Sequence, residues 1–232
     1  MAYYMAATAE TMIDLQKFDV TTMPPSANMM IIGKRATGKS WLVRDILTRK
    51  SGTYSSGLVY DYVDRMDDDW SKLAPEVTIE HKYDAEKLAD TLRVRQMMIK
   101  ELNRRVAEPS PTPPYMFVVM DGILDKNPAD DVNIKTMLIN GRFYYLSYIL
   151  ALQYQVAMPP AIRCNIDYVF LGREANMSIK HKIYDYWAGI FETFDDFDAV
   201  MRQLGSYDFL VINNISRSNK LEDVVTWYNS TD

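Results

Sequence analysis

Eight residues near the start of the chain carry the strongest chemical signal, Gly33-Lys34-Arg35-Ala36-Thr37-Gly38-Lys39-Ser40. Their spacing, G-x-x-x-x-G-K-[ST], is that of the phosphate-cradling P-loop. Gly33 and Gly38 allow backbone conformations that a Cβ would forbid. Successive N–H groups can then face phosphate oxygens, and a helix starting behind the loop adds the positive end of its dipole. Lys39 offers a cation to the β- and γ-phosphates, and Ser40 offers a hydroxyl ligand to Mg²⁺. The expected nucleotide contacts are Gly33, Lys34, Arg35, Ala36, Thr37, Gly38, Lys39, Ser40 and Trp41, with ATP as the ligand and Mg²⁺ as its counterion.

Two later stretches end in polar residues that suit the same chemistry. Tyr115-Met116-Phe117-Val118-Val119-Met120-Asp121 is an apolar strand closed by an aspartate. That is the pattern of a Walker B strand, whose carboxylate holds Mg²⁺ at the C-terminal edge of a parallel sheet. Tyr148-Ile149-Leu150-Ala151-Leu152-Gln153 ends in an amide that could orient a water beside a terminal phosphate.

These residues need elements to hold them. Met29–Ile32 is a short apolar run before the loop, and Trp41, Leu42, Asp45 and Ile46 recur behind it at helical spacing. The loop helix is expected over about 39–50, with Gly52 beyond its end. Further strands are expected at 56–61, 77–80, 115–121, 148–153, 166–171 and 207–213, and helices at 84–107, 131–140, 177–187 and 195–204. The alternation predicts an α/β fold of three layers, a mostly parallel central sheet flanked by helices. The domain organisation expected is a lead-in over 1–27, one nucleotide-binding domain over 28–213, and a tail over 214–232 that packs on it through Trp227 and Tyr228.

The composition narrows the function classes. The chain has 232 residues, enough for one large α/β domain, and a net charge of −5. An acidic balance excludes a general polyanion trap, so any nucleic-acid grip must be local or arise where several copies ring a channel. Cys164 is the single cysteine, so no intrachain disulfide forms and a reducing compartment is expected. His81 and His181 lie far apart with no cysteine or histidine cluster, which speaks against zinc. No secretory signal or transmembrane segment is expected. The acidic stretch with Asp64, Asp67, Asp68 and Asp69 lacks calcium-loop spacing and reads as a solvated loop. Glu108-Pro109-Ser110-Pro111-Thr112-Pro113-Pro114 reads as a stiff surface linker. The long helix before it, in which Leu88, Leu92, Arg95, Ile99, Leu102 and Val106 recur at three- and four-residue steps, carries Lys87, Arg93, Arg95, Lys100, Arg104 and Arg105 against Glu86, Asp90 and Glu101. That bias suits either a solvated polar face or a nucleic-acid backbone.

The ordered set of motifs resembles the genome-packaging ATPases of large nucleocytoplasmic DNA viruses, of the poxvirus and iridovirus type. These belong to the FtsK–HerA superfamily of P-loop NTPases, with a RecA/ASCE-like fold. The resemblance rests on Met23-Pro24-Pro25-Ser26 before the first strand, on the loop itself, and on Val118-Val119-Met120-Asp121. It continues through Asn140-Gly141-Arg142, Gln153, and Pro159-Pro160-Ala161-Ile162-Arg163-Cys164-Asn165-Ile166-Asp167-Tyr168-Val169-Phe170, so it spans about residues 19–175. It implies an ATPase that assembles as a homo-oligomeric ring, a pentamer or hexamer, and drives double-stranded DNA into a preformed capsid. Partners would include capsid, portal or membrane-associated virion proteins, in the viral factory of the host cytoplasm and in the virion. Lys39, Asp121 and Gln153 would be catalytic, with Ser40 and Asp121 on the metal. It also implies an arginine finger reaching a neighbour's γ-phosphate, for which Arg142 is the first candidate and Arg163 the second.

One position departs from that family. A second acid usually follows the Walker B aspartate and polarises the attacking water, whereas here Gly122 follows Asp121. Either Asp125 takes the role or hydrolysis is weak, in which case the protein would be a nucleotide-binding assembly component. On this reading Gly122→Asp or Gly122→Glu should raise turnover sharply. A small-molecule kinase fits less well, because no arginine-rich lid is present and a strand-tip glutamine suits water.

Overall fold

Eight strands form a single sheet in the order β3-β2-β4-β5-β1-β6-β7-β8. They belong to a computed structural model that describes residues 15–62, 70–104, 114–122, 130–154 and 158–231. In chain order the strands are β1 Met29–Ile32, β2 Ser56–Asp61, β3 Glu76–Glu80, β4 Met116–Asp121, β5 Leu146–Leu152, β6 Tyr168–Gly172, β7 Asp208–Asn213 and β8 Val225–Asn229. The helices are α1 Lys39–Arg49, α2 Ala85–Arg104, α3 Val132–Asn140, α4 Pro160–Arg163, α5 Met177–Trp187, α6 Phe194–Gln203 and α7 Leu221–Val224. β1 to β6 pair in parallel, and β7 and β8 extend the sheet antiparallel. The fold is therefore α/β with a mostly parallel sheet, as the alternation of patterns requires.

The strand sequences are apolar on both faces because both faces are covered. Met30, Ile32, Leu58, Tyr60, Val118, Met120, Leu150 and Leu152 point to the layer that holds α2, α3, α5 and α6. Met29, Ile31, Val59, Phe117, Val119, Ile149 and Ala151 point the other way, onto Leu42, Val43, Ile46 and Leu47 of α1. Side chains alternate along a strand, so residues at the tips of neighbouring strands inherit one face or the other. Packing on the α1 side is tight at Gly57, where a Cβ would lie 2.2 Å from the Phe117 ring.

Both ends of the described chain join the sheet. The Phe18 N–H donates to the Trp227 carbonyl (2.7 Å) and the Trp227 N–H to the Gln16 carbonyl (3.0 Å), so the lead-in runs beside β8. β8 in turn is tied to α1, with the Tyr228 hydroxyl on the Asp45 carboxylate and the Trp41 indole N–H on the Ser230 carbonyl (2.8 Å).

α2 corrects one detail of the sequence reading. Arg95 does not share the basic outer face. It is 4% exposed, and its guanidinium donates to the carbonyls of Tyr144 (2.9 Å) and Pro114. Its position in the apolar stripe, between Leu92 and Ile99, decided its fate over its charge. The stretch with Asp64, Asp67, Asp68 and Asp69, most of the proline-rich segment, Arg105 and Asp125 lie outside the described residues.

Candidate nucleotide-binding site

The loop 33–38 leaves the C-terminal end of β1 and enters α1. Its backbone is as tight as the motif demands. Gly38 sits at φ +91°, and a Cβ there would lie 2.5 Å from the Tyr207 ring. A Cβ on Gly33 would meet the Thr37 hydroxyl at 2.7 Å, and that hydroxyl closes the loop by donating to the Lys34 carbonyl (2.9 Å). Ala36 also takes a left-handed conformation, φ 65°, which costs an alanine about 1–2 kcal/mol. Strain of this kind is retained where a loop is shaped for a ligand.

The start of α1 differs from that of the other long helices. Asp84 caps α2, Asp131 caps α3, Asn176 caps α5 and Thr193 caps α6. α1 starts at Gly38 with no side-chain cap and no acid in its first turn. Its leading N–H groups are thus left for an anion, at the end of the helix that attracts one. Lys39 lies inside the loop, buried, with its ammonium on the Lys34 carbonyl (3.0 Å). Burial holds the Lys39 amine below the usual lysine range, and the nearby Asp121 opposes that shift. A cation that is desolvated in this way gains from a phosphate more than an exposed lysine would.

A cavity of about 520 Å³ opens in front of the loop. Arg35, Ala36, Gly38, Lys39, Ser40 and Trp41 line it from the loop and α1. Asp121 and Gly122 line it from the tip of β4, and Gln153 from just beyond β5. The structure therefore brings together Lys39, Ser40, Asp121 and Gln153, which are far apart in sequence. The β4-β5-β1 order does this, since it sets the three tips side by side. Gly122 takes φ +66°, and an added Cβ there would meet open space. Ser40 and Asp121 offer the hydroxyl and carboxylate oxygens that suit Mg²⁺.

Arg142 and Arg163 are elsewhere. Arg142 lies in the turn before β5, and its guanidinium contacts Asp167 at 2.5 Å, just before β6. That is the N-terminal edge of the parallel strands, about 17 Å from the loop at some 3.3 Å per strand residue. The Arg142 side chain is half exposed while Asp167 is buried. The Asp167 carboxyl also accepts the Asn28 N–H (2.8 Å), and burial pushes its pKa up against the pull of these two donors. Arg163 is committed to α5, with its guanidinium on the Tyr186 carbonyl (2.8 Å) and stacked 4.8 Å over the Tyr186 ring. Neither arginine can serve the cavity of its own chain.

Asp61, Tyr62, Arg44 and Tyr207 also line the cavity, and the sequence did not single them out for it. Asp61 alone left a signal, as a second apolar run closed by an acid.

The loop, the sheet order and the two strand tips define a P-loop NTPase. No protein-family model matches the chain. It is 33% identical over 194 residues to uncharacterized protein 075L of Invertebrate iridescent virus 6, covering 83% of this chain and 72% of that one. It is 29% identical over 222 residues to uncharacterized protein L437 of Acanthamoeba polyphaga mimivirus, covering 94% and 78%. Among solved structures, B204, the DNA-packaging ATPase from Sulfolobus turreted icosahedral virus, superposes with a TM-score of 0.60 at 14% identity, over 88% of this chain and 98% of that one. The pCW3 conjugation coupling protein TcpA superposes with a TM-score of 0.60 at 16% identity, over 88% and 60%. The chain belongs to the family of viral proteins that includes protein 075L of Invertebrate iridescent virus 6, and its own fold is that of the P-loop NTPases.

Proposed function

We propose that the protein is an ATP-driven motor that moves double-stranded viral DNA into a preformed capsid. The single observation that carries this reading is the uncapped start of α1, with its Lys39 and Ser40, facing Asp121 and Gln153 across one cavity, in a fold shared with B204. Gly33 to Trp41 hold the triphosphate, and Ser40 and Asp121 hold Mg²⁺. Held there, Mg²⁺ would supply charge neutralisation to the phosphates. Lys39 supplies a fixed cation, and Gln153 orients the attacking water.

The remaining catalytic part comes from a neighbour. Arg142 stands on the edge opposite the cavity, half exposed, beside the exposed Phe143 (73%). The cavity end carries exposed Trp41 (52%), Tyr62 (70%), Tyr154 (63%) and Tyr207 (43%). An apolar rim on one edge and an arginine with an aromatic on the other suit head-to-tail association, which closes into a ring. Arg142 would then approach the terminal phosphate bound by the next copy, whereas Arg163 keeps its place on Tyr186. DNA would run through the ring, with capsid, portal or membrane-associated virion proteins outside it, in the viral factory and the virion. The exposed Lys100 and Arg104 near the end of α2 are the described residues of the basic face best placed for phosphates.

The test is ATP turnover of the oligomer with and without duplex DNA, followed by mixing of two inactive variants. Arg142→Ala keeps an intact loop, and Lys39→Ala keeps an intact arginine. Mixed rings should regain activity, since some interfaces combine both intact halves. Absence of DNA stimulation, or no recovery on mixing, would refute the motor. Gly122 supports a second reading, an assembly component that binds ATP with little turnover, and tight binding without hydrolysis would favour it.

A further inference from the structure

A second carboxylate reaches the cavity at the level of Asp121. Asp61 ends β2 and Asp121 ends β4, and the two are in-register partners of a parallel pair. Such partners stand about 4.8 Å apart and send their side chains to the same face. Two residues earlier, Val59 and Val119 lie in the cluster packed on α1, so Asp61 and Asp121 emerge on the face from which α1 and its loop arise. Both are largely buried, 6% and 8% exposed, and both line the cavity with Lys39, Ser40 and Gln153.

Arg35, Lys39 and Arg44 line the same cavity, so the two carboxylates face cations as well as each other, in a place where the preceding residues of that face, Val59 and Val119, are apolar. The pair also divides unequally. Asp121 interacts with the Lys39 ammonium, whereas Asp61 is one strand further from the loop. Asp61 and Gln153 thus flank Asp121 on opposite sides. Its main chain is anchored separately, with the His81 ring nitrogen 3.2 Å from the Asp61 carbonyl. Gly122, where a second acid would be expected, has only hydrogen to offer.

We propose that Asp61 is the general base for ATP hydrolysis in this protein, supplying from the neighbouring strand the carboxylate that Gly122 lacks. This rests on the ATPase reading above. Asp61 takes a proton from a water that Gln153 helps to orient beside the γ-phosphate. The water oxygen bonds to the γ-phosphorus, and its proton passes to the Asp61 carboxylate. The bond from that phosphorus to the bridging oxygen breaks, and ADP leaves with the electron pair. Inorganic phosphate forms, and Asp61 returns its proton to solvent.

The test compares the full chain with Asp61→Asn, measuring DNA-stimulated ATP turnover, calorimetric affinity for a non-hydrolysable ATP analogue, and thermal midpoint. The expected result is a fall in kcat of about 100-fold or more, with analogue affinity within about threefold of wild type. Should Asp61→Asn fail to fold, Asp61→Ser carries the same two expectations. A kcat within threefold of wild type overturns the proposal, as does a loss of affinity parallel to the loss of kcat. A wild-type chain that binds the analogue but does not turn over ATP also overturns it and leaves nucleotide binding intact. A wild-type chain that binds no nucleotide defeats the ATPase reading itself.

Discussion

Replacing Lys39 by alanine should weaken nucleotide binding and leave the empty fold almost unchanged, because the two effects draw on different interactions. In the complex the ammonium makes charge-assisted hydrogen bonds to phosphate, worth about 1.5–3 kcal/mol in a protein interior. At about 1.4 kcal/mol per decade, that is a loss of roughly 10- to 100-fold in affinity. In the empty protein the ammonium contacts the Lys34 carbonyl, a bond worth about 1 kcal/mol. Against this stand its burial and its place at the positive end of α1, which disfavours a cation by about 0.3–1 kcal/mol. The terms nearly cancel, so the thermal midpoint without ligand should move by no more than about 2–4 °C. The pH dependence has a definite sign. The folded Lys39 amine titrates below its unfolded value near 10.5, so between those two values the unfolded chain binds more protons and stability rises with pH. The wild type should therefore gain stability relative to Lys39→Ala as pH is raised toward 10. Buried phenols, such as that of Tyr54, raised to about 12 by burial, act in the opposite direction but cancel in the difference. Calorimetry with ATP, and thermal melts without ligand at pH 8 and pH 10, make the comparison. Unchanged affinity, or a midpoint lowered by more than about 8 °C without ligand, would refute the assignment of Lys39 to the phosphates.

Other substitutions probe the cradle and its support. Gly38→Ala places a Cβ 2.5 Å from the Tyr207 ring at φ +91°, so nucleotide affinity should fall by at least about tenfold and the midpoint by about 2–8 °C, from a strain of about 1–2 kcal/mol. Gly57→Ala drives a methyl into the Phe117 ring, and overpacking of about 1–3 kcal/mol should lower the melting midpoint, with partial recovery when Phe117→Leu is added. Tyr228→Phe removes the hydroxyl that ties β8 to Asp45 of α1. It should destabilise by about 1 kcal/mol in chemical denaturation and leave ATP affinity unchanged. Gly122→Glu in the Asp61→Asn background should restore turnover by at least about tenfold, read in the same steady-state assay, because the added side chain enters open space, while its φ of +66° should cost about 1–2 kcal/mol of stability.

Much of this protein is local in origin and could be read from the chain. The loop was legible because its chemistry is contiguous, with two glycines, a lysine and a serine at fixed steps between an apolar run and a helical one. That Asp121 and Gln153 would stand at strand tips was legible because each follows a buried apolar run, Asp121 as the last residue of β4 and Gln153 just beyond β5. The helix starts at Asp84 and Asp131 follow from short side chains that accept the first N–H groups. None of these readings required knowing which strand lies beside which.

The rest depended on lateral order and on competition for space. Asp61 and Asp121 are 60 residues apart by their numbering, and only the β2-β4 pairing makes them neighbours. Gly38 meets Tyr207 because β7 and the turn before it fold back over the loop, a contact between distant segments that no periodicity encodes. Arg95 was read as part of a basic face, but its place in the apolar stripe buried it and main-chain carbonyls satisfied it. Arg142 was named from its motif, yet its distance from its own chain's cavity, and its contact with Asp167, followed from the N-terminal edges of β5 and β6 lying on either side of β1. Sequence patterns report what a segment buries and where it turns, since those depend on neighbours a few residues away. Which tips converge on one cavity is set by crossover connections and packing, and these exist only once the sheet has closed.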